Sequence, residues 1–252
     1  MSRIRRLLFP LALAVLAGTF ASPELADDLE DAKALAARID QVRKAKDQAT
    51  LTTEVGRVPA LYKAITDKSV RGKLRGALGK VVKDKKMGSV RITAVEALVG
   101  LDDPKAAWKE MARELPGPKV EEAPELGFAV VKAAGEMAPS RAIKGLLELM
   151  SKSKDPKLMA AAGEALGGYR ADKRNRVSIL EEMISAGRRL RPGRSLTKYI
   201  SPETRKRWSI VAPKLVKGLN RLTGQRIPSF EDWEALYNDN KKRLKNLFLE
   251  ED

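Results

Sequence analysis

Three stretches of the chain repeat one pattern, and that pattern limits the fold more than anything else in the sequence. Ala94-Val95-Glu96-Ala97-Leu98-Val99-Gly100-Leu101 runs into Asp102-Asp103-Pro104. Val130-Val131-Lys132-Ala133-Ala134-Gly135-Glu136-Met137 runs into Ala138-Pro139, and Ala162-Gly163-Glu164-Ala165-Leu166-Gly167-Gly168-Tyr169 into Arg170-Ala171-Asp172. The copies begin 36 and 32 residues apart, a period typical of arrays of helical hairpins. Each reads as a small-residue helix ending near a Gly, then a tight turn, then a second amphipathic helix. Ala and Gly on the inner face let neighbouring helices approach, while Leu, Val and Met fill the space between layers. Pro cannot continue a helix and Asp caps the next one, so these residues mark the turns.

The spacing predicts second helices over Lys105–Leu115, Ala142–Ser151 and Arg176–Arg188. Upstream, Val58–Ile65 reads as a second helix and Leu74–Val81 as a first. Only 20 residues then separate Ala77 from Ala97, too few for a whole hairpin, so this repeat is expected to be irregular or truncated. Leu29, Ala32, Leu35, Ile39 and Val42 fall at i, i+3 and i+4 spacing, a helical stripe able to close the first layer. Aromatics are only 5% of residues and no long alternating Val/Ile/Thr run occurs, which argues against strands. The expected fold class is all-α: a right-handed α-solenoid of four to six stacked hairpins, one continuous array with a C-terminal helical cap.

The phrases VRITAVEALVGLDDPKAA and LMAAAGEALGGYRAD resemble HEAT repeats, in which a VRxxAxxALGxxGD-like helix precedes a second helix; the likeness covers about residues 57–190. Leu222-Thr223-Gly224-Gln225, followed by Trp233 and Tyr237-Asn238, is similar to the closing element of many exported bacterial HEAT-repeat proteins. There Arg226-Ile227 replaces the usual continuation and Tyr237 stands where a second Trp is common. The resemblance implies a non-enzymatic protein-interaction solenoid and names no ligand.

The tail itself points the same way. Six of the ten aromatics outside the first 21 residues are Tyr199, Trp208, Phe230, Trp233, Tyr237 and Phe248. Ser229 is placed to cap a helix whose first turn carries Glu231 and Asp232. Trp233, Leu236, Tyr237, Leu244, Leu247 and Phe248 lie on roughly one face, expected to seal the last layer rather than to form an aromatic ligand site.

Residues 1–21 read as a secretory signal. Arg3, Arg5 and Arg6 precede an apolar run from Leu7 to Phe20, and Thr19-Phe20-Ala21 offers a cleavage site. The run is shorter than the roughly 20 residues that span a bilayer comfortably. Glu24, Asp27, Asp28, Glu30 and Asp31 follow with no Lys or Arg among residues 22–31, the charge order that sends the remainder across. The expected location is periplasmic or extracellular, with cleavage near Ala21; an uncleaved membrane anchor is the alternative. The organisation expected is 1–21 signal, 22–56 N-terminal capping region, 57–190 repeats, and 191–252 basic loop and aromatic-rich cap.

The formal net charge of +16 is uneven. Residues 170–221 hold fifteen Lys and Arg against four acids, and residues 68–91 hold nine against one. These two segments carry the whole excess, and the rest of the mature chain is slightly acidic. The first contributes the candidate partner-binding residues Arg188, Arg189, Arg191, Arg194, Lys198, Arg205, Lys206 and Arg207. Pro192-Gly193 marks a loop there, and Arg suits bidentate contact with carboxylates or phosphates. The second contributes Lys68, Arg71, Lys73, Arg75, Lys83, Lys85 and Lys86. The partner expected is a protein, acidic where it meets these clusters. A polyanion is the alternative: an anionic envelope polymer, a membrane surface, or nucleic acid, the last disfavoured by export.

Catalytic signals are absent. With no Cys and no His, thiol chemistry, Cys-ligated metal and the usual hydrolase base are excluded. Ser151-Lys152-Ser153-Lys154 and Ser195-Leu196-Thr197-Lys198 fit S-x-x-K, but no S-D-N or K-T-G partner follows. Asp27-Asp28, Asp102-Asp103 and Glu121-Glu122 are adjacent carboxylates, which point apart on a helix. No cofactor, metal or enzymatic activity is expected.

Overall fold

The computed structural model describes residues 23–115, 117, 123–193 and 201–249. Among these residues the chain is all-α, with eleven α-helices and no strand. Residues 1–21, expected to be a secretory signal, and Arg194, Lys198 and Tyr199 lie outside the described residues. No helix among those described is long and apolar enough to cross a membrane.

The helix starts follow the chemistry of their first residues. Asp47, Asp67, Asp103, Asp155, Ser201 and Ser229 each accept a backbone N–H from the first turn of the helix that follows. A cap of this kind contributes about 1 kcal/mol. Pro is the first residue of five helices, where its missing N–H costs nothing. Asp-Pro and Ser-Pro are therefore the start signals of this chain.

Helix α1 (Pro23–Ala45) buries Ala32, Leu35, Ile39 and Val42, the stripe its sequence predicted. Helices α2 (Gln48–Ala64), α3 (Lys68–Lys83) and α4 (Val90–Val99) follow. Next come α5 (Pro104–Met111), extended by a 3-10 turn at Ala112–Glu114, and α6 (Pro124–Met137). A 3-10 turn at Ser140–Ala142 then leads to α7 (Ile143–Lys152) and α8 (Pro156–Leu166). The chain continues through α9 (Arg176–Leu190), α10 (Pro202–Thr223) and α11 (Phe230–Asp239), and ends in a 3-10 turn at Leu244–Leu247. Helix α2 runs unbroken across residue 57, where the repeats were expected to begin.

Packing proceeds in order. Helices α2, α4, α6, α8 and α10 each lie against the next, while α1 packs on α3, α3 on α5, and α7 on α9. Helix α2, expected as a second helix, packs on α1 and α4, and α3, expected as a first helix, packs on α1, α4 and α5. The 20 residues between Ala77 and Ala97 hold the end of α3, a 3-10 turn at Lys85–Met87 and most of α4. The Ala/Gly composition of α3 reports close neighbours without identifying them.

Bare backbone sets the spacing of α6, α8 and α10. A β-carbon on Gly168 would run into the carbonyl of Gly135, and one on Gly218 into the carbonyl of Gly163. The repeated Gly is thus a contact surface, as the sequence pattern required. Two helix ends depart from the pattern, since Lys46 directly after α1 also has a positive φ, of 61°. Helix α6 stops on Ala138 in the left-handed conformation (φ 44°, ψ 48°), where Gly is the usual residue. A β-carbon there costs roughly 1–2 kcal/mol.

The tail folds back on α10. Asn220 receives the indole N–H of Trp233 at 2.8 Å and the backbone N–H of Ile227 at 3.1 Å, and donates to the Ile227 carbonyl at 2.9 Å. Gly224 ends α10 with φ 81°, and the backbone N–H of Leu249 reaches the Thr223 carbonyl at 2.8 Å. Phe230, Trp233, Tyr237, Leu244, Leu247 and Phe248 are all buried, and Trp208 meets Phe230 edge-on with ring centres 5.3 Å apart. The aromatics of the tail are core.

Candidate functional site

The denser basic cluster is partly spent on structure. Arg188 and Arg191 end α9, where a cation favours the helix dipole, and both reach α11. Arg188 donates to Glu234 Oε1 at 3.1 Å and to Asn238 at 2.6 Å, with its guanidinium 5.3 Å from the centre of the Tyr237 ring. Arg191 binds Glu234 Oε2 at 2.6 Å and lies 3.8 Å from Glu231. Arg189 donates to Ser185 on its own helix. Arg205, Lys206 and Arg207 are exposed along the first half of α10. The cluster therefore divides into a clasp on α11 and a solvated stretch of α10.

The second cluster divides similarly. Arg71 lies over the Tyr62 ring and donates to the Ile65 carbonyl and to Asp102 at 3.0 Å. Arg75 stands 3.7 Å from Asp103, and Lys83 binds Glu110 at 3.1 Å. Lys85 and Lys86 sit on a 3-10 turn capped by Asp84, and Lys68 and Lys73 are exposed. Two neighbouring basic residues are also engaged. Lys80 binds Asp40 at 2.6 Å, while Arg91, buried, donates to the Val82 carbonyl and to Glu114 at 2.7 Å. The hydrogen bond from Lys80 holds the Asp40 carboxyl below its usual range, and that from Arg38 does the same for Glu54. Burial pushes Glu164 upward, yet Lys214 and Lys217 together bring it below the ordinary value. These carboxylates belong to the framework.

A concave site lies elsewhere. A cleft of about 910 Å³ opens between α5 with its 3-10 extension and the turn that follows α6. Lys105, Lys109 and Arg113 line one wall at i, i+4 and i+8, and Arg141 lines the other. All four are exposed, and none has an ion-pair partner among the described residues. Lys83 and Glu110 also border the cleft, but they neutralise one another. The apolar lining comprises Trp108, only 4% exposed, with Leu115, Met137, Ala138 and Pro139.

The wall after α6 is held firmly. Buried Tyr169 donates between the carbonyls of Ala134 at 3.3 Å and Pro139 at 3.1 Å, and burial drives its hydroxyl pKa upward. Ser140 donates to Asp172 at 3.0 Å. The left-handed Ala138 sits inside this pinned turn, so backbone strain and site coincide. Like charges four residues apart cost a few tenths of a kcal/mol on a helix, and Lys105 stands in a first turn where the dipole favours acids. Helix stability alone gives no reason for this arrangement.

The two sequence clusters contribute only Lys83 to the cleft. Lys105, Lys109, Arg113 and Arg141 fall in the remainder whose net charge is slightly acidic. The Lys105/Lys109/Arg113 spacing is visible in the sequence, whereas Arg141 joins them only through packing. Ser151 turns its hydroxyl onto the Leu147 carbonyl of its own helix, and Asp103 is the cap of α5. No group of His, Cys, Asp and Glu able to hold a metal gathers among the described residues. No protein-family model matches the chain, and neither the curated proteins nor the solved structures yield a match.

Proposed function

We propose that this chain is an exported, non-enzymatic scaffold or adaptor built as a HEAT-like right-handed α-solenoid, and that it holds a protein partner through its helical surface and basic groups. The observation that carries the reading is the order of packing, in which α2, α4, α6, α8 and α10 each lie against the next. Such arrays present long surfaces and need neither a cofactor nor a nucleophile. The buried aromatic tail supports its role as a closing cap, since its rings serve packing rather than a ligand.

The array is tested by small-angle scattering. A compact globule of the mature length has a radius of gyration of about 17 Å, and a stacked array should exceed that clearly. Mass spectrometry of the chain recovered from its native envelope should find Ser22 at the mature N-terminus; an intact Met1 would sink the cleavage. Crosslinked capture from that envelope then identifies the partner. A polyanion reading draws on the exposed Lys206 and Arg207 of α10, and binding to DNA or acidic vesicles that collapses steeply with salt would favour it.

A further inference from the structure

We infer that the cleft between α5 and the Ala138–Arg141 turn is a docking site for an extended acidic segment of a partner protein, one that carries an aliphatic or aromatic side chain among its carboxylates. The inference deepens the scaffold reading and rests on it for the class of partner. Four cations with no ion-pair partner among the described residues converge on one concavity: Lys105, Lys109 and Arg113 from one wall and Arg141 from the other. Charge complementarity therefore asks for an anion, and the spread of the cations along two walls asks for several anionic groups.

The rest of the cleft narrows the class. Trp108, Leu115, Met137 and Pro139 give it an apolar lining, which a purely ionic ligand would leave unused and a segment with one apolar anchor would cover. Nucleic acid bound without sequence preference stacks its bases on aromatic faces, and Trp108, with only 4% of its surface exposed, offers none. A bilayer surface cannot enter a concave cleft. The wall after α6 is already fixed by Tyr169 and Asp172, so that side needs little ordering when a segment docks.

The test is fluorescence anisotropy on the full mature chain, with a dye-labelled synthetic peptide in which Asp and Glu flank a central Leu. Binding by the wild type is expected, weakened at least about tenfold by K109E combined with R113E and by R141E alone, and unchanged by K206E combined with R207E. Replacing the peptide's Leu by Gly should cost several-fold. Circular dichroism confirms that each variant stays helical. Failure of the wild type to bind, or equal binding by the cleft variants, overturns the inference. So does competition by phosphatidylglycerol vesicles or duplex DNA that is stronger than the peptide and lost in the same variants. The scaffold reading is judged separately, by crosslinked capture from the native envelope with wild type and cleft variants. Capture that persists in the cleft variants keeps the scaffold and removes the cleft. Peptide binding without any captured partner keeps the cleft and removes the scaffold.

Discussion

The end of α9 and the wall of α5 both carry runs of cations, and the fold treats them oppositely. At α9, Arg188 and Arg191 meet Glu231 and Glu234 of α11 and close on a buried aromatic tail. At α5 and its 3-10 extension, Lys105, Lys109 and Arg113 share a cleft with Arg141, and none of the four has an ion-pair partner among the described residues. Density of charge in the sequence is thus a poor measure of available charge. What decides availability is whether packing brings a counter-charge within reach.

The largest expected effect comes from breaking the α11 side of this contrast. Trp233→Ala removes the fully buried ring and its bond to Asn220, at a cost of about 3–5 kcal/mol. If α11 is released while the rest of the chain still folds, Arg188 and Arg191 are left without Glu231 and Glu234, so acidic peptide should gain a second site at α9 that the wild type lacks. Chemical denaturation and peptide stoichiometry read the two halves.

A smaller effect is expected at the clasp itself. The side chains of Arg191 and Glu234 are 16% and 19% exposed, so Arg191→Ala should lose about 1–3 kcal/mol, short of a fully buried pair. Exchanging the two charges, R191E with E234R, should recover part of that loss in a double-mutant cycle. Charge reversal at Arg188 and Arg191 is consequently a test of stability before it is a test of binding.

Acid should loosen the framework through its carboxylates. Asp40, Glu54 and Glu164 titrate below their usual values, held there by Lys80, by Arg38, and by Lys214 with Lys217. A carboxylate depressed in the folded state contributes stability above its unfolded pKa, near 4, and loses it as pH falls through the folded value. Thermal midpoints should therefore hold level from about pH 7 to 5 and fall below about pH 4. A midpoint that rises on acidification would contradict these pairings.

The smallest effect has the opposite sign. Lys105→Glu places an acid in the first turn of α5, four residues before Lys109, and should stabilise by about 0.3–1 kcal/mol. Gaining stability by removing a cleft cation would show that Lys105 does not serve the fold.

Much of the architecture was legible from local chemistry. The stripe of α1, the Ser229 cap, the small-residue helices and the second helices downstream of Asp103 all follow from periodicity and capping, which act within a few residues. The pairing of α2 with α4 was not legible, because small residues signal a close neighbour without identifying it. The site was hidden for the same reason. Arg141 reaches the Lys109 wall only because α6 lies between their segments, and Arg188 is neutralised by a glutamate 46 residues away.

Site-resolved lysine acetylation, with and without the acidic peptide, tests the contrast most directly. Peptide should protect Lys105 and Lys109 while Lys206 on α10 reacts as before. Protection at Lys206 with Lys105 and Lys109 still fully reactive would contradict it, and would return the binding surface to the basic cluster that the sequence displays most densely.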